Sequence, residues 1–336
     1  MRRRAFLQGA GSAAVVWPIR GSAAARDATL PLLAVLLPAP EESSKPRLAA
    51  LREGLKAEGL LEGSHYLVEA RFANGDFARL PELAKELDAL KPRLFVASAN
   101  AVLVVHKLLP DTPLVFTAVA ADPIALGLAQ SYTRPGGTAT GNVMNALGGE
   151  ESLTAKRLGF FKDLVPNIAR LGMIGSWVPQ IQGGLLYQEE MALRKASAQM
   201  GFAFEKYAIK TLDDLEQAFA KALADGVDAF YISGEPFLFA NISRVLPHVV
   251  AAAKPTLGTY PEWARAGLLL SYSNDLADGF RRAGVYAARI IKGAKPGELP
   301  IDQASKFTLA INLKTAKQLG IGVPPNLLTL ADELIE

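Results

Sequence analysis

Residues 115–143 read VFTAVAADPIALGLAQSYTRPGGTATGNV. The apolar run Leu114–Ala118 predicts a buried strand. The carboxylate of Asp122 and the fixed φ of Pro123 suit the N-cap and first turn of a helix predicted over 123–131. Arg134-Pro135-Gly136-Gly137 permits a tight loop before a second strand at Thr138–Val143. A strand, a crossover and a further strand form the unit from which a parallel sheet covered by helices is built.

The same alternation runs outward in both directions. Upstream, strands are predicted at Leu32–Leu37, Tyr66–Phe72 and Leu94–Ala97. Helices are predicted at Ser44–Glu58, from a cap at Asp76 to Leu90, and over 100–109. With the opening stretch these make a five-strand doubly wound unit. A second unit begins near Gly149. Its strands are Arg170–Ile174, Ala203–Ile209, Ala229–Ser233 and Pro255–Gly258, and its helices are 151–164, 184–200, 212–224 and 236–252; strand Leu268–Tyr272, helix 275–292, strand Phe307–Ile311 and a last helical region follow along the chain. Pro247 predicts a kink or break in the helix 236–252. The expected fold class is α/β, with two doubly wound lobes joined by several crossings. The crossings are placed near 144–149, 258–262 and 302–306. The first lobe is then 26–145 with 260–304, and the second 146–259 with 305–336.

Residues 1–25 have the composition of an export signal. Arg3-Arg4 fits a twin-arginine motif, an apolar stretch follows from Gly9 to Ile19, and Ala23-Ala24-Ala25 offers a cleavage site. The stretch is too short to span a bilayer. Gly9-Ala10-Gly11-Ser12-Ala13-Ala14 matches a dinucleotide-binding pattern, but no strand precedes it. Arg2, Arg3, Arg4 and Arg20 lie in this segment with no acid, so the formal +3 of the whole chain becomes −1 for residues 26–336. That removes any electrostatic argument for nucleic acid or an anionic membrane as partner. The chain has no cysteine, hence no disulfide and no lipidated cysteine. The expectation is a freely soluble protein of the bacterial periplasm.

In doubly wound sheets a ligand lies beyond the carboxyl ends of the strands, where helix N-termini present unpaired amides. That rule selects Pro38 after the first strand, Ser98-Ala99-Asn100 after the third, and Thr117-Ala118 after the fourth. In the second lobe it selects Trp177 and Glu235. Ser98 and Asn100 either cap their own helix or cradle a carboxylate. Thr117 either offers a hydroxyl or is an ordinary β-branched strand residue. Glu235, before Pro236, either favours a helix N-terminus or pairs with a ligand ammonium. Trp177 either stacks on a ligand or closes the lobe interface, and Tyr260, at an expected hinge, either contacts ligand or packs on the linker. Catalysis has little support: His65, His106 and His248 show no metal-ligand spacing, and no nucleophile-elbow, zinc-protease or phosphate-loop motif occurs. No metal or cofactor is expected.

The opening block resembles the signature of the periplasmic substrate-binding proteins of ABC importers, whose best-understood members take up aromatic amino acids. Further matches are LTAKRLGFFKDLVPNIARLGMI (153–174), DAFYISGEPFLFANISRV (228–245), LLLSYSNDLADGFRRAGVYAARIIKGAKPGELPI (268–301) and FTLAINLKTAKQLGIGVPPNLLTLADELIE (307–336). The resemblance implies a type I clamshell with a hinge and a monomer. It also implies a small organic ligand, amino acid or related carboxylate, and an ABC permease in the inner membrane as partner. The matching turn carries Asp in many relatives where this chain has Glu235, and small polar residues or Pro often stand where it has Trp177. A periplasmic sensing subunit is the alternative, which a neighbouring sensor-kinase gene would favour over a permease and ATPase.

Overall fold

The computed structural model describes residues 30–144, 149–177 and 185–336. The expected export segment, residues 1–25, therefore lies outside the described residues, as do most of the first expected crossing and Val178 of the Trp177 loop.

In chain order the first lobe contains β1 (Leu32–Leu37), α1 (Glu41–Ala57), β2 (Leu67–Phe72), α2 (Leu80–Ala89), β3 (Leu94–Ser98), α3 (Asn100–Leu108), β4 (Leu114–Val119) and β5 (Ala139–Val143). The second continues with α4 (Gly149–Leu164), β6 (Arg170–Ser176), α5 (Leu185–Met200), β7 (Ala203–Ile209), α6 (Leu215–Ala224), β8 (Ala229–Ile232), α7 (Pro236–Ala240), α8 (Ile242–Ala252), β9 (Thr256–Gly258), α9 (Pro261–Ala266) and β10 (Leu270–Asn274). Then follow α10 (Leu276–Ile291), β11 (Asp302–Gln303), β12 (Phe307–Asn312), α11 (Leu313–Gln318), α12 (Pro325–Leu330) and β13 (Glu333–Ile335).

Two sheets result, ordered β11-β5-β4-β3-β1-β2 and β13-β12-β10-β9-β8-β6-β7. The first is parallel throughout; in the second only the β10–β12 pair is antiparallel. Each sheet is covered on both faces, so its strands feed two cores. In β1, Ala34 and Leu36 enter one core while Leu33, Val35 and Leu37 enter the other. That two-sided burial explains the continuous apolar runs that mark the strands in the sequence.

The lobe boundaries differ from expectation at one crossing. Residues 260–274 belong to the second lobe, because β10 pairs with β9 and β12. The chain returns to the first lobe only at Asp275, which caps α10 by accepting from the Asp278 amide at 3.1 Å. α10 then packs on α1 through glycines: a Cβ on Gly284 would lie 2.1 Å from the Leu51 carbonyl, and one on Gly54 1.9 Å from that of Arg281. β11 ends the first lobe and β12 re-enters the second, close to the third expected crossing.

Two local expectations also change. No helix forms over 123–131; Asp122 and Pro123 accept from Leu126 and Leu128, and Gly127 at φ 73° ends the turn. The helix expected over 236–252 is interrupted at Asn241, whose side-chain amide donates to the Phe237 carbonyl at 2.9 Å, while Pro247 sits inside α8.

Candidate functional site

The carboxyl ends of β1, β3 and β4 face the carboxyl ends of β8 and β9 across the lobes. Between them lies a cavity of about 50 Å³. Its first-lobe wall includes Pro38, Arg47, Ser98, Ala99 and Ala118; its second-lobe wall is Pro236, Phe239 and Tyr260. A wider interlobe cavity of about 660 Å³ lies between Ala120, Asp122, Tyr132 and Gln303 on one side and Glu150, Glu151, Tyr187, Met191 and Lys195 on the other. Together they have the volume of a small-molecule site.

Two first-lobe loops hold unusual backbone. Ala99 has φ 48° and ψ −127°, and Ala118 has φ 53°, each costing about 1–3 kcal/mol for a residue with a Cβ. The β4–β5 register shifts between Phe116 and Val119, so Ala118 sits in a bulge that turns the strand end toward the cleft. Gly141 makes room for it: a Cβ there would lie 1.9 Å from the Phe116 carbonyl. The two loops are tied by the Ala99 amide, which donates to the Thr117 carbonyl at 3.3 Å.

Five of the nine sequence-predicted residues, Pro38, Ser98, Ala99, Ala118 and Tyr260, line the smaller cavity. The other four are placed elsewhere. Asn100 is exposed at the start of α3. Thr117 is fully buried, its hydroxyl donating to Asn142 at 3.0 Å, so it braces β4 against β5. Trp177 is 59% exposed with the Lys210 ammonium 5.5 Å over its ring. Glu235 is buried, but its carboxylate accepts from the Ser176 amide at 2.5 Å and from the Ser176 hydroxyl, which ties the ends of β6 and β8 together. Burial pushes the Glu235 carboxyl above the usual range, against those two hydrogen bonds. Tyr260 both lines the cavity and packs: its hydroxyl donates to the Gly234 carbonyl at 2.7 Å, and its ring meets Phe239 edge-on at 4.5 Å.

Four residues escape the strand-end rule. Arg47 on α1 is 11% exposed; its guanidinium lies 4.3 Å over the Phe239 ring of the other lobe. Its Nε is buried with no hydrogen-bond partner among the described residues, and burial lowers its pKa. Phe239 lies in α7, ahead of the break at Asn241, whereas the sequence places the break at Pro247. Beneath the second-lobe loop, Glu189 accepts from the Ser233 hydroxyl at 2.7 Å, the Gly234 amide at 3.0 Å and the Thr259 hydroxyl at 3.1 Å. Arg157, fully buried, donates to the Tyr272 carbonyl at 2.8 Å and the Tyr231 hydroxyl at 2.6 Å. A signal existed: Arg47, Arg157 and Glu189 each fall on the buried stripe of their helices, in step with Ser44 and Leu51, Leu153 and Phe161, and Leu193 and Ala196.

Comparison with known proteins bears on this arrangement. A family model described as ABC transporter substrate binding protein matches residues 33–335. The tyrosine-binding protein of Clostridioides difficile (strain R20291) is 21% identical over 269 residues, 80% of this chain and 74% of that protein. An ABC domain from Streptococcus pneumonia in complex with L-Trp is 21% identical with a TM-score of 0.79, covering 91% of this chain and 100% of its own. A conserved domain protein from Vibrio cholerae o1 biovar eltor is 23% identical with a TM-score of 0.78, covering 90% and 99%. At these identities the solved structures establish the fold, a bilobal type I periplasmic-binding-protein architecture.

Proposed function

This chain belongs to the ABC transporter substrate-binding protein family, and from that premise we propose that it is an exported, monomeric receptor of the bacterial periplasm. It captures a small organic ligand, an amino acid or related carboxylate, between its lobes and presents the closed form to an ABC permease. The observation that carries this reading is the cavity assembled from the strand ends of both lobes, with Ser98, Ala99 and Ala118 facing Phe239 and Tyr260. Hinge closure brings those walls together, so a ligand held first by the first lobe is completed by the second. The tyrosine and L-Trp named for its relatives support an aromatic body. The apolar wall formed by Pro236, Phe239 and Tyr260 suits one. The matched family is one of substrate-binding proteins, which supports a cleft that captures its ligand without turnover.

Mild purification followed by native mass spectrometry tests the reading. A retained small carboxylate is the expected result, and added back at a hundred times its Kd it should stabilise the protein by about 2.7 kcal/mol. A protein that retains nothing, and whose melting is unmoved by a broad panel of amino acids and organic acids, would overturn it.

A further inference from the structure

The charges around the cleft are unequally partnered. Each acid that lines either cavity already accepts hydrogen bonds: Asp122 from the Ile124 amide and Tyr132 hydroxyl, Glu150 from Thr154 and Arg157, Glu151 from Lys195. Glu235, the sequence candidate for an ammonium partner, is held by Ser176. Arg47 is the opposite case. Its nearest carboxylate, Glu262, is 3.9 Å away and half exposed, a separation at which an ion pair contributes little. Its buried Nε finds no acceptor among the described residues.

Geometry adds to the imbalance. Phe239 occupies the face of the guanidinium at 4.3 Å. Stacking uses that face and leaves the in-plane N–H edge, the part that matches a carboxylate with two parallel hydrogen bonds. Arg47 and Ser98 line the same cavity, whose lining carries no acid, and the remaining walls are apolar. An anion with a ring-bearing body would complete Arg47 and cover Phe239. An ammonium would meet no acid in the smaller cavity, and in the wider one only acids that already accept a hydrogen bond, at the cost of desolvating it.

We propose that Arg47 is the anion-recognising residue of the cleft, and that the ligand is a carboxylate on an apolar, ring-bearing body without an ammonium group. The proposal rests on the capture reading above and narrows it, away from the amino acids named for the relatives. Two isosteric triads test it by calorimetry: indole-3-propionate, L-tryptophan and tryptamine, and 3-(4-hydroxyphenyl)propionate, L-tyrosine and tyramine. We expect at least one of the propionates to bind at least tenfold more tightly than its amino acid, and the amines to give no heat. Arg47→Met should lower the propionate affinity more than tenfold, with Arg47→Lys intermediate; the wild-type ranking stands as a test even if Arg47→Met does not fold. Tighter binding of L-tryptophan or L-tyrosine, or unchanged affinity in Arg47→Met, overturns the proposal while leaving capture intact. Retention of a neutral polyol does the same. If no compound of either triad binds, the proposal falls, and capture itself falls only if native mass spectrometry also finds nothing retained.

Discussion

At the residue scale the second-lobe side of the cleft depends on one serine. Ser176 donates both its amide and its hydroxyl to Glu235, so Ser176→Ala would leave one buried carboxylate oxygen without its donor. We expect a loss of about 1–3 kcal/mol in urea denaturation at neutral pH, the cost of a buried unsatisfied polar group. The loss should shrink toward pH 4, where Glu235 is protonated. The sign of the pH dependence follows from burial, which raises the folded pKa of Glu235 above its unfolded value of about 4.5. Between those two pKa values the native state binds more protons than the unfolded chain, so this group's contribution to stability falls as pH rises through the window. Glu235→Gln removes that dependence. The difference in stability between Gln variant and parent should therefore move in favour of the variant from pH 4 to pH 7; a flat difference would show that Glu235 titrates normally.

At the element scale the first lobe is held by the contact of α1 with α10. Gly54 and Gly284 let the two backbones meet, and a methyl group at Gly284 would strike the Leu51 carbonyl at 2.1 Å. Gly284→Ala should cost about 1–3 kcal/mol through overpacking, although alanine is the better helix former, and circular dichroism melts would record it. An unchanged or higher melting temperature would mean that the helices part at no cost. The break between α7 and α8 belongs to this scale as well. Asn241 takes up the Phe237 carbonyl by its side chain and ends α7 after Ala240, which sets Phe239 against Arg47 and Tyr260. The proline in the same stretch is the louder sequence signal, but Pro247 lies within α8 and does not interrupt it.

At the scale of the whole molecule the lobes meet, among the described residues, through side chains from both walls of the cleft. Arg47 stacks on Phe239, and Ala118 and Ala120 of the first lobe pack on the core that holds Tyr260 and Trp263. Phe239→Ala removes a cation–π contact worth about 0.5–2 kcal/mol together with apolar cover, so the ligand-free protein should shift toward the open form. Small-angle scattering would read this as a larger radius of gyration, and an unchanged radius would show that other contacts hold the lobes. The sequence by itself determined the α/β class, the two-lobe organisation and nearly all the strands, because two-sided burial writes each strand as a short apolar run between amphipathic helices. It also located the strand-end loops, since strand ends follow from strand order: four of the eight residues chosen that way line the smaller cavity, and Tyr260, chosen at the expected hinge, is a fifth. Only the tertiary structure decided the rest. β10 joins the second sheet because its partners, Leu257 and Leu309, are set by pairing at a distance, which local pattern does not encode. For the same reason Glu235 is engaged by Ser176, Thr117 by Asn142, and Arg47 is left facing the cleft: a side chain's hydrogen bonds depend on which distant segment folding brings within about 3 Å of it.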